Sequence, residues 1–121
     1  MKTAVSYVYD ILNIETDIDF YTNSVPDTAL TKPVFPIGRI VEIQGNYTNK
    51  ASDNPLSIQF VTQVDVWVES LDDVDKYYYS LDSVMRANDW ECIYSEQTDD
   101  PDIEGAKRII KRYSATINID L

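Results

Sequence analysis

Apolar residues recur along this chain in two rhythms, and the changes from one to the other mark out its elements. Ala4 or Val5, Val8, Ile11 and Leu12 follow at three- and four-residue spacing, which predicts a helix over residues 2–14 with one apolar stripe. Thr3 is placed to cap its start. Asp19 to Thr22 reads as a short strand or an extended lead-in. Residues 23–36 hold three of the five prolines, and proline both lacks a ladder donor and biases its predecessor to extended geometry, so this stretch reads as loop. Ile37 to Gln44 is rich in β-branched residues and reads as a strand. Residues 45–55, bounded by Gly45 and Pro55, read as a polar turn.

The strongest rhythm comes next. Leu56, Ile58, Phe60, Thr62, Val64, Val66 and Val68 alternate with Ser57, Gln59, Val61, Gln63, Asp65, Trp67 and Glu69. That period of two predicts a long strand with one apolar and one mostly polar face. Ser70 is then placed to cap a helix whose first turn carries Asp72, Asp73 and Asp75, the favourable sign for a helix N-terminus. Leu71, Val74, Tyr78, Leu81 and Met85 carry this helix to about Asn88. Residues 90–96 read as a strand, 97–105 as an acidic turn and 106–120 as a final strand. Along it Ile109, Lys111, Tyr113, Ala115, Ile117, Ile119 and Leu121 oppose Ile110, Arg112, Ser114, Thr116, Asn118 and Asp120. The predicted fold class is α+β: two helices packed on one face of a mainly antiparallel sheet, in the order α-β-β-α-β-β. Leu56, Ile58, Phe60, Val64, Val66, Ile117 and Ile119 should lie inward with Val8, Leu12, Val74 and Leu81.

Length and charge narrow the function. The 121 residues suit one domain over 1–121, and 44% hydrophobic with 26% charged residues is ordinary globular usage, which argues against wholesale disorder. Against 21 acidic residues stand 10 basic ones, a net charge of −11. That balance opposes specific nucleic-acid binding and anionic membranes, since a phosphate-binding surface needs clustered Lys and Arg. The nearest approach to a basic cluster is Lys107, Arg108, Lys111 and Arg112, and on a strand the two lysines face away from the two arginines. The lone Cys92 rules out an internal disulfide framework and fits a reducing compartment. The opening residues hold no apolar run suited to a signal peptide, so the expected setting is the cytosol, and Asn46-Tyr47-Thr48 reads as a chance glycosylation triplet.

The chemistry-bearing residues are few. With no histidine, the usual nucleophile–base pairs are missing, and Cys92 has no imidazole to activate it. A zinc site needs Cys and His at set spacings, which this chain lacks. Glu96, Asp99, Asp100, Asp102 and Glu104 have the oxygen chemistry for Ca²⁺ but not the glycine-centred loop, and read as a solvated turn. No glycine-rich phosphate loop occurs. We therefore expect no enzyme, no cofactor and no metal. Tyr77, Tyr78 and Tyr79 point about 100° apart on a helix and cannot form one stacking platform; they read as core and surface positions, with one at an interface edge. Trp67, on the polar side of its strand between Asp65 and Glu69, reads as an exposed interface residue.

Beside this reading stands a resemblance. A first helix, a proline-rich loop entering FPIGRIVEI (35–43), the strand FVTQVDVWVES (60–70) running into a capped helix, and the closing RYSATINID (112–120) together span nearly the whole chain. The layout resembles the small tail-terminator or tail-completion proteins of long-tailed phages of Gram-positive bacteria. It is a pattern of layout without a catalytic signature. The resemblance implies a hexameric ring at the head-proximal end of the tail tube, in the virion tail after assembly in the host cytoplasm. The partners it implies are further copies of the chain, the major tail tube protein and the head–tail connector protein, with DNA passing through the ring unbound. The candidate subunit or tube interface is then Trp67, Asp65 and Glu69, with Tyr47, Asn49 and Lys50 in one strand-end loop and Asp99 and Asp100 in another. The competing reading is a small acidic binding module, an immunity protein or nucleic-acid mimic that blocks a basic partner.

Overall fold

The computed structural model of the chain describes every residue except 52, 53, 102, 104, 120 and 121, together with the side chains of all but 49–51, 54 and 55 among the rest. It is α+β, with a five-stranded mixed sheet. The elements are α1 (Ala4–Glu15), β1 (Asp19–Thr22), the short α2 (Asp27–Thr31), β2 (Ile37–Ala51), β3 (Asn54–Val68), α3 (Leu71–Tyr78), α4 (Ser80–Ala87), β4 (Glu91–Asp99) and β5 (Lys107–Asn118). In space the strands run β1-β2-β3-β5-β4.

Both expected caps form. Thr3 Oγ1 accepts from the Ser6 amide at 3.3 Å, and Ser70 Oγ accepts from the Asp73 amide at 3.2 Å. Helix α4 ends with the Trp90 amide on the Met85 carbonyl and the Asp89 amide on that of Arg86, with Asp89 in the left-handed region at φ 67°. This pair of reversed bonds satisfies carbonyls the helix leaves open, and it delivers Trp90 to the core beside Met85.

Several expectations need correction. The single helix over 71–88 is two, α3 and α4, which meet at Tyr79; beside that junction the Ser80 hydroxyl donates to the carbonyls of Lys76 and Tyr77 at 3.0 and 3.3 Å. Such back-bonding by a hydroxyl weakens and bends a helix. The loop over 23–36 contains α2, and its Phe35–Pro36 peptide is cis. The polar turn over 45–55 is instead mostly strand: Gln44 to Thr48 pair with Val61 to Ser57, and Lys50 and Ala51 with Pro55 and Asn54. Polar residues there satisfy their backbone groups by pairing, so composition misled. The lead-in at Asp19–Thr22 is a true strand, parallel to β2, and so the sheet is mixed.

One large cluster joins Ala4, Val8 and Leu12 of α1 to Val74, Tyr77, Leu81 and Met85 of α3 and α4 and to Ile40, Val64, Val66, Ile109 and Tyr113 of the sheet. Val64 and Val66 are fully buried, which fixes the register of β3 as expected. Ile58 and Phe60 are buried, but Ile117 and Ile119 are only partly so, and Leu56 is 45% exposed. Leu56 stands near the start of β3, two residues before the buried Ile58.

Candidate functional site

The residues set apart in the sequence divide in the structure. Trp67, Asp65 and Asp100 come together. Glu69, Tyr47 and Asp99 do not join them: Glu69 is exposed beyond the end of β3, Tyr47 is 63% exposed on the hairpin, and Asp99 is exposed on β4 in an ion pair with Lys107. Asn49 and Lys50 lie in β2, and their side chains fall outside the described residues.

Trp67 is not an exposed residue. Its side lies opposite α1, α3 and α4, as the alternation requires, yet it is only 5% accessible. A second, smaller apolar cluster covers it: Ile37, Ile103 and Ala106, with Tyr21, Val25 and Phe35 packed around them. The cover comes from the loop before β2 and the turn after β4, two segments remote from Trp67 in sequence. Its indole N–H donates to Asp100 Oδ2. Asp100 Oδ1 in turn accepts from the Ile103 amide at 3.3 Å, which shapes the covering turn.

Asp65 is likewise not at a wet surface. Its side chain has no exposure. Arg39 Nε and Nη2 donate to Oδ2 at 3.2 and 2.9 Å, and Arg108 Nε and Nη2 donate to Oδ1 at 3.2 and 2.8 Å. Gln63 Nε2 reaches both oxygens at 3.1 and 3.2 Å, and its Oε1 accepts from Arg112 Nε at 3.1 Å. A buried carboxylate is tolerated only when paired and hydrogen-bonded, and here two guanidinium groups and an amide do both. The same two guanidinium groups lie over the indole, 5.5 and 5.4 Å from its ring centroid. Sequence reasoning placed Arg108 and Arg112 on one side of β5, as observed, but missed Arg39; its alternation with Gly38 and Ile40 in β2, which puts it on the same face as Ile37, was the available signal.

A cavity of about 390 Å³ opens over this cluster, lined by Ser24, Val25, Leu30, Arg39, Trp67, Asp100, Ile103 and Arg108. Its size falls in the range of small-ligand sites.

On the opposite face sits a second polar group. Lys111 is fully buried, 3.1 Å from Asp82 Oδ2, and also donates to Ser95 Oγ. Tyr78 presents its ring 3.6 Å from the ammonium, and the Tyr113 hydroxyl donates to Asp82 Oδ1 at 2.7 Å. Burial, with Asp82 beside it, pushes the Tyr113 hydroxyl pKa far up, and burial also raises the Cys92 thiol. A thiol shifted that way is a poor nucleophile. The group ties α4 to β5 and offers substrate no approach to Lys111. Among the described residues no set of three or more acidic or cysteine side chains is placed to hold a metal; Asp102 and Glu104 of the acidic turn lie outside them. No helix among the described residues is long and apolar enough to cross a membrane.

No protein-family model matches the chain, and no curated protein matches it.

Proposed function

We propose that this protein is a structural subunit of a phage tail, forming a hexameric ring that caps the head-proximal end of the tail tube, ends tube polymerisation and joins tail to head. The sequence layout is the origin of this reading, and one structural observation supports it: both sides of the sheet leave backbone unpaired among the described residues. On one side β1 covers only Ile37 to Ile40 of β2, so the outer edge of β2 from Val41 onward has no strand beside it. On the other, β4 is an edge over its whole nine residues. Exposed Ile43 and Tyr47 accompany the first edge, and exposed Ile93 and Tyr94 the second. Unpaired edges invite pairing with another chain, and two different edges on one subunit suit a head-to-tail contact, which builds a ring where the rotation between neighbours closes.

In this reading α1, α3 and α4 form one layer of the subunit against the sheet. The β2–β3 hairpin reaches toward a neighbour or toward the major tail tube protein, the head–tail connector protein docks on the ring's other end, and DNA passes through. The reaction is assembly, with no cofactor and no turnover. The test is sedimentation velocity over a hundredfold range of concentration, with negative-stain imaging of the heaviest species. Rings of six, weakened by Tyr47→Lys and by Ile93→Lys, are expected. A monomer at every concentration that also leaves tube length unchanged in a tail-tube polymerisation assay would overturn it. The charge of −11 favours a second reading, an acidic module that binds a basic partner. That reading predicts a persistent monomer whose partner binding weakens steeply with salt.

A further inference from the structure

We infer that the cavity over Trp67 is a binding site for a small oxyanion, a carboxylate or phosphate group carried on an apolar body. This inference does not depend on the assembly reading. What the site can hold depends on which hydrogen-bonding groups still have capacity to spare. Formal charges within the cluster nearly cancel, but the two carboxylates are already committed. Asp65 is wholly buried and accepts from Arg39, Arg108 and Gln63 on both oxygens. Asp100 is buried, with Oδ2 on the indole N–H and Oδ1 on the Ile103 amide.

The arginines are committed on one edge only. Each guanidinium has five N–H donors, and Asp65 engages the Nε and Nη2 edge of both. No described residue accepts from Nη1 of either. Both side chains line the cavity and are 28% and 26% exposed, which leaves their uncommitted Nη1 groups as the donors a ligand there can meet. Asp65 and the indole hold both groups in place before any ligand arrives, which lowers the ordering cost of binding. Planar guanidinium donors match carboxylate and phosphate oxygens. Val25, Leu30 and Ile103 supply apolar walls, so the fitting ligand has an apolar body behind its charged end. In a chain with twice as many acids as bases, this is a concentration of fixed donors.

The experiment is a titration of the full ¹⁵N-labelled chain with benzoate, phenyl phosphate and uncharged benzyl alcohol, read from the Trp67 indole and arginine Nε signals. Saturable shifts with benzoate or phenyl phosphate and none with benzyl alcohol are expected, and the tighter of the two acids identifies the oxyanion. Arg39→Lys and Arg108→Lys should each weaken binding about tenfold, since lysine keeps the charge but not the fork. Because those changes touch the Asp65 cluster, Leu30→Glu provides an independent arm: it places an acid at the exposed rim, away from Asp65, and should abolish binding in a protein with an unchanged spectrum. No saturable shift with either acid, equal binding of benzyl alcohol, or undiminished binding in Leu30→Glu would each overturn the inference.

Discussion

Trp67 and Asp100 meet through a hydrogen bond that spans 33 residues of sequence and joins the end of β3 to the turn that follows β4. It couples the centre of the sheet to the segment that covers it, so Trp67 belongs to the structure's second core. Trp67→Ala is therefore expected to cost about 4 kcal/mol of folding stability, in the range for truncating a buried aromatic. Chemical denaturation measures it. An unchanged midpoint, with impaired self-association alone, would return Trp67 to a surface role.

Thr62 is fully buried, and its hydroxyl has no hydrogen-bond partner among the described residues. A buried hydroxyl left unsatisfied costs free energy that a methyl group does not. Thr62→Val should stabilise the protein by about 1 kcal/mol, with a melting temperature higher by about 4 °C. Calorimetry showing a loss instead would mean the hydroxyl has a partner in solution.

Gly38 pairs with Phe20 across the parallel β1–β2 ladder, and the Phe20 ring lies against its α-carbon. A β-carbon at Gly38 would stand 2.3 Å from Cδ1 and Cε1 of that ring. Gly38→Ala is expected to cost about 2 kcal/mol through overpacking. Adding Phe20→Leu should recover part of the loss, because the smaller side chain can yield; an additive double mutant would rule out the clash as its cause.

The Tyr77 hydroxyl donates to Asp17 Oδ1 at 2.9 Å, and this bond, ahead of the nearby Lys76 charge, holds the Asp17 carboxyl below its ordinary value of 3.8. A depressed carboxylate contributes stability that is fully present above the unfolded value and is lost as pH falls through the folded one. Asp17 is well exposed, so the contribution is small. Tyr77→Phe should lower stability by about 0.5–1 kcal/mol at pH 7, with a smaller difference below pH 3.8. Denaturation curves of both proteins at pH 7 and pH 2.5 check this; a gap that widens in acid would contradict it.

What the sequence made legible were features decided locally. The alternation through Val64 and Val66 gave the buried face of β3, Thr3 and Ser70 announced their caps, and the spacing of Lys107, Arg108, Lys111 and Arg112 put the lysines and arginines on opposite faces. What it hid depends on distant partners. Alternation assigns Trp67 a side but not a cover, and that cover comes from Val25, Phe35 and Ile103. Asn46, Tyr47 and Thr48 look like turn residues because nothing in their own composition reveals a paired strand opposite. Asp65 looked like a solvated acid because two of its partners, Arg39 and Arg108, lie 26 and 43 residues away.

The Asp65 clamp also limits how the sheet can go wrong. A strand of strict two-residue period that slips by two keeps every apolar side chain on the apolar face, so the hydrophobic pattern alone does not penalise that error. Asp65 does. Its partners come from the strands on either side: Arg39 of β2 stands directly opposite Asp65, and Arg108 of β5 reaches it from opposite Trp67. Slipping β2 by two residues would put Ile37 or Val41 opposite the buried acid in place of Arg39, whereas β5 carries Arg108 and Arg112 on that face and a slip by two brings one or the other opposite it. One acid thus proofreads the alignment of β2 against β3.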